Sequence, residues 1–562
     1  MADNNRKNGS SNGGSKNSFI LQAGILAAAG IISRIIGLLY RSPLQRVIGD
    51  LGMGYYSSAY NYYTIILLIS SYSIPSAISK VIAQKLAEKE FRNAHRLFHC
   101  ALFYVLAVGG AASLFLFFGA GLFVGEEAVP VLRTFAPTIF IYGILGVLRG
   151  YFQAHKSMAQ TSVSQILEQI ANAAVSVGAA YLLIKSAMGT MDIPETEADR
   201  IVRATKGAVG SAMGTGVGVL IALLFMLGIY GLNRGMIMRR VSRDRHGRVD
   251  SYGEMIKTIT FIVMPFILST AIYNLSGTVN NTIYTKWYLK AKELASVDIY
   301  SRWGIFSAQA LTISNIPIAF ASAMASAMIP SVAQMVAARD IDGAREKIGL
   351  SVKTTMIISI PCAAGLLVLA RPITCLLFTN EIQADEDLAT KLLMALALSV
   401  VFYALSTLNS SILQGLGKVN VPIVNAAIAL AVQTGLAMGL LHWTKLDLYS
   451  IAIANTVYSF LMCVLNQWAV HKAVGYRQEI VKSFLIPGGA AMFMGAGAWA
   501  VYEGLLLLTG SRRISVIPAI LIGAVVYFAM LLLMRGITEN ELRSFPKGHL
   551  LVKAAKKCRL LR

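Results

Sequence analysis

A chain of 562 residues has room for several soluble domains, but 56% apolar against 14% charged residues excludes an ordinary soluble composition, in which charged side chains make up about a quarter. The formal net charge of +22 does not choose between a nucleic-acid partner and a membrane surface; the placement of the basic residues has to. Five cysteines (Cys100, Cys362, Cys375, Cys463, Cys558) without a Cys-x-x-Cys pair give neither a disulfide framework nor a zinc site.

In chain order, residues 1–17 (MADNNRKNGSSNGGSKN) are polar and rich in Gly, Ser and Asn, which predicts a disordered tail rather than a signal peptide. Fourteen apolar runs of about 20 residues follow, the length that crosses ~30 Å of hydrocarbon. They fall near 19–43, 57–82, 98–123, 131–154, 161–186, 208–232, 256–280, 303–330, 351–378, 389–413, 419–442, 448–470, 484–508 and 514–534. The predicted fold class is an all-α polytopic membrane protein with about fourteen transmembrane helices.

The first run contains 30-GIISRIIGLLYRSPL-44. An arginine well inside a spanning helix costs about 2.5–3.5 kcal/mol on insertion scales, so it persists where it meets water or a counter-charge. Arg34 and Arg41 are seven residues apart and share a helix face. Two guanidinium forks on one face suit a pyrophosphate, while Arg41, expected near the outer end, can equally snorkel to the interface. The second run opens with 55-YYSSAYNYYT-64, either an aromatic belt at the outer interface or, through Tyr60 and Asn61, a cavity wall that contacts sugar or headgroup. His95 and His99, one turn apart among Lys and Arg, read as ordinary helix-end histidines, and no metal site is expected.

Glu168, in 165-QILEQI-170, lies about two turns into the fifth span with Arg149 near the same end of the fourth; the two form an ion pair or Glu168 is a coupling site. The glycines of 210-GSAMGTGVGVL-220 follow no strand and serve close helix packing rather than a dinucleotide. Asn274, Asn280 and Asn281 in the seventh span, with Gln309 and Asn315 in the eighth, make that region polar enough to line a cavity. Arg371 reads as a snorkelling residue at an outer helix end.

Basic residues concentrate in alternate connections, 85-KLAEKEFRNAHR-96, 233-NRGMIMRRVSRDRHGR-248, 339-RDIDGAREK-347 and 471-HKAVGYRQEIVK-482, and in the tail 543–562. The intervening connections, 125-GEE-127, 192-DIPETEAD-199 and 381-EIQADED-387, are acidic. By the positive-inside rule the basic loops and both termini are cytoplasmic, and the tail is expected against anionic lipid, not nucleic acid.

The fourth and tenth spans match: 142-YGILGVLRGYFQAHKSM-158 aligns with 403-YALSTLNSSILQGLGKV-419, pairing Tyr142 with Tyr403 and Gln153 with Gln414. The second and eighth agree through 74-IPSAISKVIA-83 and 329-IPSVAQMVAA-338. The pitch of about 255–261 residues makes spans 1–6 and 7–12 two copies in one orientation, a transporter architecture. The expected organisation is a disordered cytoplasmic tail (1–17), an N-lobe (18–232), a basic cytoplasmic linker (233–255), a C-lobe (256–472), helices 13 and 14 (473–535) and a basic cytoplasmic tail (536–562).

The fourteen-span layout, 33-SRIIGLLYR-41 and 148-LRGYFQAHKSMAQTSVSQILEQI-170 resemble the multidrug/oligosaccharidyl-lipid/polysaccharide (MOP) exporter superfamily, in its branch of stage V sporulation protein B and lipid II flippases. The resemblance spans about 18–540. It implies a two-lobed V-shaped bundle that carries undecaprenyl-pyrophosphate-linked saccharides to the outer leaflet by alternating access, with first-helix arginines on the pyrophosphate. Arg34 fits that role; Arg41 sits one residue farther along than the family spacing. The family pattern also places basic residues in the second and eighth spans, which here read 67-LLISSYSIPS-76 and 306-FSAQALTISNIP-317, without arginine.

No GxxxxGK[ST] loop and no catalytic constellation is present, so neither ATP hydrolysis nor an enzyme is expected, and no cofactor beyond a coupling H+ or Na+. The expected function is a monomeric flippase of a lipid-linked saccharide in the bacterial cytoplasmic membrane. Its rivals are a cation-coupled drug exporter of the same fold, which would want carboxylates where this chain has arginines, and a non-transporting scaffold for cell-wall or sporulation enzymes.

Overall fold

A backbone crossing hydrocarbon has no water to pair with, so each apolar run must close its hydrogen bonds within itself, as a helix. The computed structural model describes residues 29–30, 32–72, 74–155, 157–189, 196–244, 250–293, 295–378 and 383–539 and four isolated positions beyond them; the expected tail 1–17 and most of 536–562 lie outside the described residues. Among the described residues the chain is helical and contains no strand.

The helices run α1 (32–39), α2 (Arg41–Leu67), α3 (Ile74–Ala87), α4 (Phe91–Phe123), α5 (Val129–Ala154), α6 (Met158–Met188), α7 (Glu197–Ser242), α8 (Tyr252–Thr282), the short α9 (Leu289–Lys292) and α10 (Ser296–Gly304). They continue as α11 (Leu311–Ala337), α12 (Ile341–Val368), α13 (Ala370–Leu377), α14 (Gln383–Gly415), α15 (Asn420–Trp443), α16 (Leu448–Val474), α17 (Ile486–Thr509) and α18 (Arg512–Leu533). Eleven stretches among the described residues are long and apolar enough to cross a bilayer. They coincide with the expected third to sixth and eighth to fourteenth spans. The first expected span begins outside the described residues, the second falls on α2 and α3, joined by a π-helical turn at Leu68–Tyr72, and the seventh falls on α8.

Two helices run past the ends of their apolar runs. Helix does not stop where the first run ends near residue 43 but continues to Gly49, whose φ of 71° and ψ of 175° break α2 into two arms. Glycine holds that left-handed-side φ without a Cβ penalty, so one residue turns the chain with no polar loop to announce it. The basic stretch after the sixth span is not simply a linker either, because α7 runs 46 residues, about 69 Å, through Arg239 and Arg240.

The chain forms two compact units, Met1–Gly304 and Ile305–Arg562. The division falls inside the expected eighth span, at the start of a π-helical turn (Ile305–Ala310), so α8 packs in the first unit rather than opening the second. Each unit repeats one internal device. In the first, α3 crosses α5 so closely that a Cβ at Gly150 would lie 2.7 Å from the Pro75 carbonyl oxygen. In the second, α11 crosses α14 as closely about one turn along, where a Cβ at Gly415 would lie 2.8 Å from the Ile329 oxygen. Lys89 and Arg339 take positive φ (62° and 59°) at the two corresponding corners.

Candidate functional site

The first unit holds the chemistry, and its geometry begins with α7 on α6. Glycines 210, 214 and 218, at four-residue spacing, let the two backbones meet: a Cβ at Gly214 would lie 2.5 Å from the Ser176 nitrogen, and one at Gly218 would lie 2.6 Å from the Glu168 carbonyl oxygen. That contact fixes the turn of α6 carrying Glu168. Across from it, Arg149 of α5 is only 5% exposed. Its Nη2 lies 2.8 Å from Glu168 Oε2, and its Nε donates to Ser164 Oγ at 2.9 Å. Ser164 and Glu168 are one turn apart, so a single guanidinium bridges both. Of the two readings open for Glu168, the structure shows the ion pair.

Arg34, Gly37 and Arg41 occupy one face at i, i+3 and i+7. Gly37 settles what that face meets, since a Cβ there would lie 3.6 Å from Oε1 of Gln169, the residue after Glu168. Arg34 is exposed on this face and Arg41 half-buried. Arg41 stands eight residues, ~12 Å of helix, before the break at Gly49.

In an unbroken helix Arg41 and Tyr60 would be about 28 Å apart. The break at Gly49 brings the arms back on each other, so that Tyr56 and Tyr60 lie in electrostatic range of Tyr40 and Arg41, and Tyr60 also of Glu168. Tyr56, Tyr60 and Tyr63 form an i, i+4, i+7 face packed on Phe135 of α5, with ring centroids 5.5, 5.8 and 4.8 Å from it. Asn61, one residue on, turns instead to α8: its carbonyl accepts from Thr278 Oγ1 at 3.3 Å. The same seam holds Asn281 Nδ2 to Ser58 Oγ at 3.0 Å and the Tyr62 and Thr282 hydroxyls 2.7 Å apart.

The structure thus brings Arg34, Arg41, Tyr60, Glu168 and Arg149 into one region of the first unit, with Asn61 on its α8 side. Asn274 is exposed on α8 and Asn315 on α11 of the second unit. Asn280 (3% exposed) and Gln309 (0%), expected to line a cavity, are buried instead. Sequence reading missed Ser164 and the bracing role of Phe135. The i, i+4 spacing of Ser164 and Glu168 was the available signal for the first; nothing in sequence announces the second.

Chemically, the region offers two arginine side chains on one face, a paired carboxylate and exposed aromatic surface, groups able to hold an anion and to stack on a ring. No group of three or more His, Cys, Asp or Glu side chains that could hold a metal is found among the described residues.

Comparison with known proteins bears on the family and the fold. The family model described as polysaccharide biosynthesis protein matches residues 21–336, and the MatE model matches 265–438. The chain is 22% identical over 476 residues to lipid II flippase MurJ of Bacillus subtilis (strain 168), covering 81% of this chain and 83% of that one. It is 22% identical over 545 residues to stage V sporulation protein B of the same organism, covering 94% and 98%. Among solved structures, lipid II flippase MurJ in an inward closed conformation superposes with a TM-score of 0.63 at 15% identity, covering 90% of this chain and 97% of that one. An inward-facing multidrug resistance MATE family transporter of the MOP superfamily gives 0.55 at 16% identity, covering 81% and 98%.

Proposed function

We propose, from the premise that this chain belongs to the polysaccharide biosynthesis protein family of the MOP superfamily, that it is a flippase for a polyprenyl-pyrophosphate-linked saccharide, lipid II or a related cell-wall or polysaccharide precursor. The relatives are transporters rather than enzymes, and the chain shares their fold. The observation that carries the substrate class is the Arg34–Gly37–Arg41 face, turned to α6. A phosphate-bearing headgroup that enters the bundle there loses hydration, and guanidinium forks replace it with charge-assisted hydrogen bonds.

The drug-exporter reading is the weaker. A cationic drug needs an available buried carboxylate, and Glu168 is already held by Arg149 at 2.8 Å. Substrate crosses by alternating access; an electrical drive is physically adequate, since one charge crossing 100 mV is worth about 2.3 kcal/mol, and H+ or Na+ coupling is the other option. The protein acts as a monomer in the bacterial cytoplasmic membrane with both termini inside and its basic loops against anionic lipid.

The test is a bacterial host depleted of its own lipid II flippase, supplied with this chain or its Arg34→Ala form, with lipid II reaching the outer leaflet as the readout. The wild type restores delivery, and a well-expressed Arg34→Ala does not. No restoration by a correctly inserted wild type removes lipid II as substrate.

A further inference from the structure

The packing of Tyr60 bears on the two places the sequence leaves open for it, an outer aromatic belt and a cavity wall. A belt tyrosine turns its ring outward at the membrane interface, whereas Tyr60 lies eleven residues, ~16 Å, past the helix break at Gly49, on the arm that folds back toward Arg41. Its face of α2 is also the inward one, packed on α5 and in range of Arg41 and Glu168. Yet Tyr60 is 36% exposed, whereas Tyr56, Tyr63 and Phe135 beside it are 6%, 2% and 0%. The ring is held rather than loose. It stacks on Tyr56 at 5.8 Å and 14°, and tilts against Tyr63 at 5.7 Å.

We propose that Tyr60 is a stacking platform for a pyranose ring of the substrate, the sugar that follows the pyrophosphate held by the arginine face. The C–H groups on one face of a pyranose carry partial positive charge and meet the negative face of an aromatic ring, a contact that is geometry-dependent and tolerant of the sugar's hydroxyl pattern. Three buried rings keep the platform fixed, so little side-chain freedom is lost when a sugar lands on it. Arginines then select the pyrophosphate, and Tyr60 distinguishes a loaded carrier from a bare one. This inference rests on the flippase reading above.

The experiment measures Kd of the purified full-length protein in nanodiscs for two probes, lipid II and undecaprenyl pyrophosphate, which lacks the saccharide. The wild type binds lipid II more tightly. Tyr60→Leu weakens lipid II about three- to tenfold while leaving undecaprenyl pyrophosphate unchanged, and Tyr60→Phe, which keeps the ring, behaves as wild type. Equal weakening of both probes, or of neither, overturns the platform, as does a wild type that binds the two probes equally. A wild type that binds neither probe overturns the flippase reading itself, and the platform with it.

Discussion

The α5–α6 seam of the first unit and the corresponding region of the second solve the same burial problem with different chemistry. In the repeat register Arg149 corresponds to Ser410 and Glu168 to Ala429. Where the first unit buries a guanidinium and a carboxylate, the second uses neutral amides: Asn466 Nδ2 donates to Ser410 Oγ at 2.9 Å, Asn425 Nδ2 to Asn466 Oδ1 at 2.9 Å, and Asn409 Nδ2 to Gln467 Oε1 at 3.0 Å. Desolvating charges costs far more than desolvating amides, so one fold unit assembled twice shows that the ion pair is not needed to build it. The charged seam also lies beside the arginine face, since a Cβ at Gly37 would lie 3.6 Å from Oε1 of Gln169.

Replacing the charged seam by its neutral counterpart separates folding from transport. Glu168→Ala alone leaves Arg149 buried without its carboxylate and is expected to cost about 3–5 kcal/mol in thermal unfolding. The double variant Arg149→Ser with Glu168→Ala copies the second unit and should return stability to within about 1 kcal/mol of wild type. If that stable double variant no longer delivers lipid II to the outer leaflet, the pair serves transport; if delivery is unchanged, it serves only packing.

The same contrast shows what a sequence can and cannot display. Spans of twenty apolar residues, the repeat register and the shared face of Arg34 and Arg41 are periodic properties, and they were legible. The Arg149–Glu168 pairing was legible as one of two readings, because both residues sit near the same ends of neighbouring spans. The break at Gly49 was not, since 48-IGDLG-52 reads as a weak polar interruption and the turn is carried by one residue's φ. That single miss hid the fold-back that brings Tyr60 into range of Arg41. Asn280 and Gln309 failed for another reason: an amide lining a cavity and an amide buried inside a bundle are identical in sequence, and only the neighbours distinguish them.

A smaller effect tests whether the units are equivalent in packing even where they differ in charge. Gly150→Ala pushes a Cβ to 2.7 Å from the Pro75 oxygen, and Gly415→Ala pushes one to 2.8 Å from the Ile329 oxygen. Each is expected to cost about 1–3 kcal/mol in thermal unfolding, because backbone cannot yield as a flexible side chain would. Costs that match within about 1 kcal/mol mark the two crossings as one device; a large cost at Gly150 alone would mean that the second unit relaxes around its crossing.

The smallest expected effect lies at the two corners, where the units agree in backbone and part in what they clamp. Lys85 Nζ lies 2.7 Å from Glu90 and 2.9 Å from Asp250, tying the corner to the segment that leads into α8. Arg345 instead donates through Nε to the Val474 carbonyl at the end of α16. Burial opposes the Lys85 charge, but the Glu90 and Asp250 carboxylates outweigh it and hold its pKa above the usual lysine value. The sign follows: a raised folded pKa gives a contribution fully present below the unfolded value near 10.5 and lost as pH rises through the folded one, so this clamp should not respond to pH between 6 and 9. Lys85→Met should cost no more than about 1 kcal/mol, since the pair is partly solvated, yet speed amide exchange at 250–254. Arg345→Met should do the same at 474–476 and leave 250–254 untouched. Exchange that quickens at both segments in either variant would instead make the corners one coupled element.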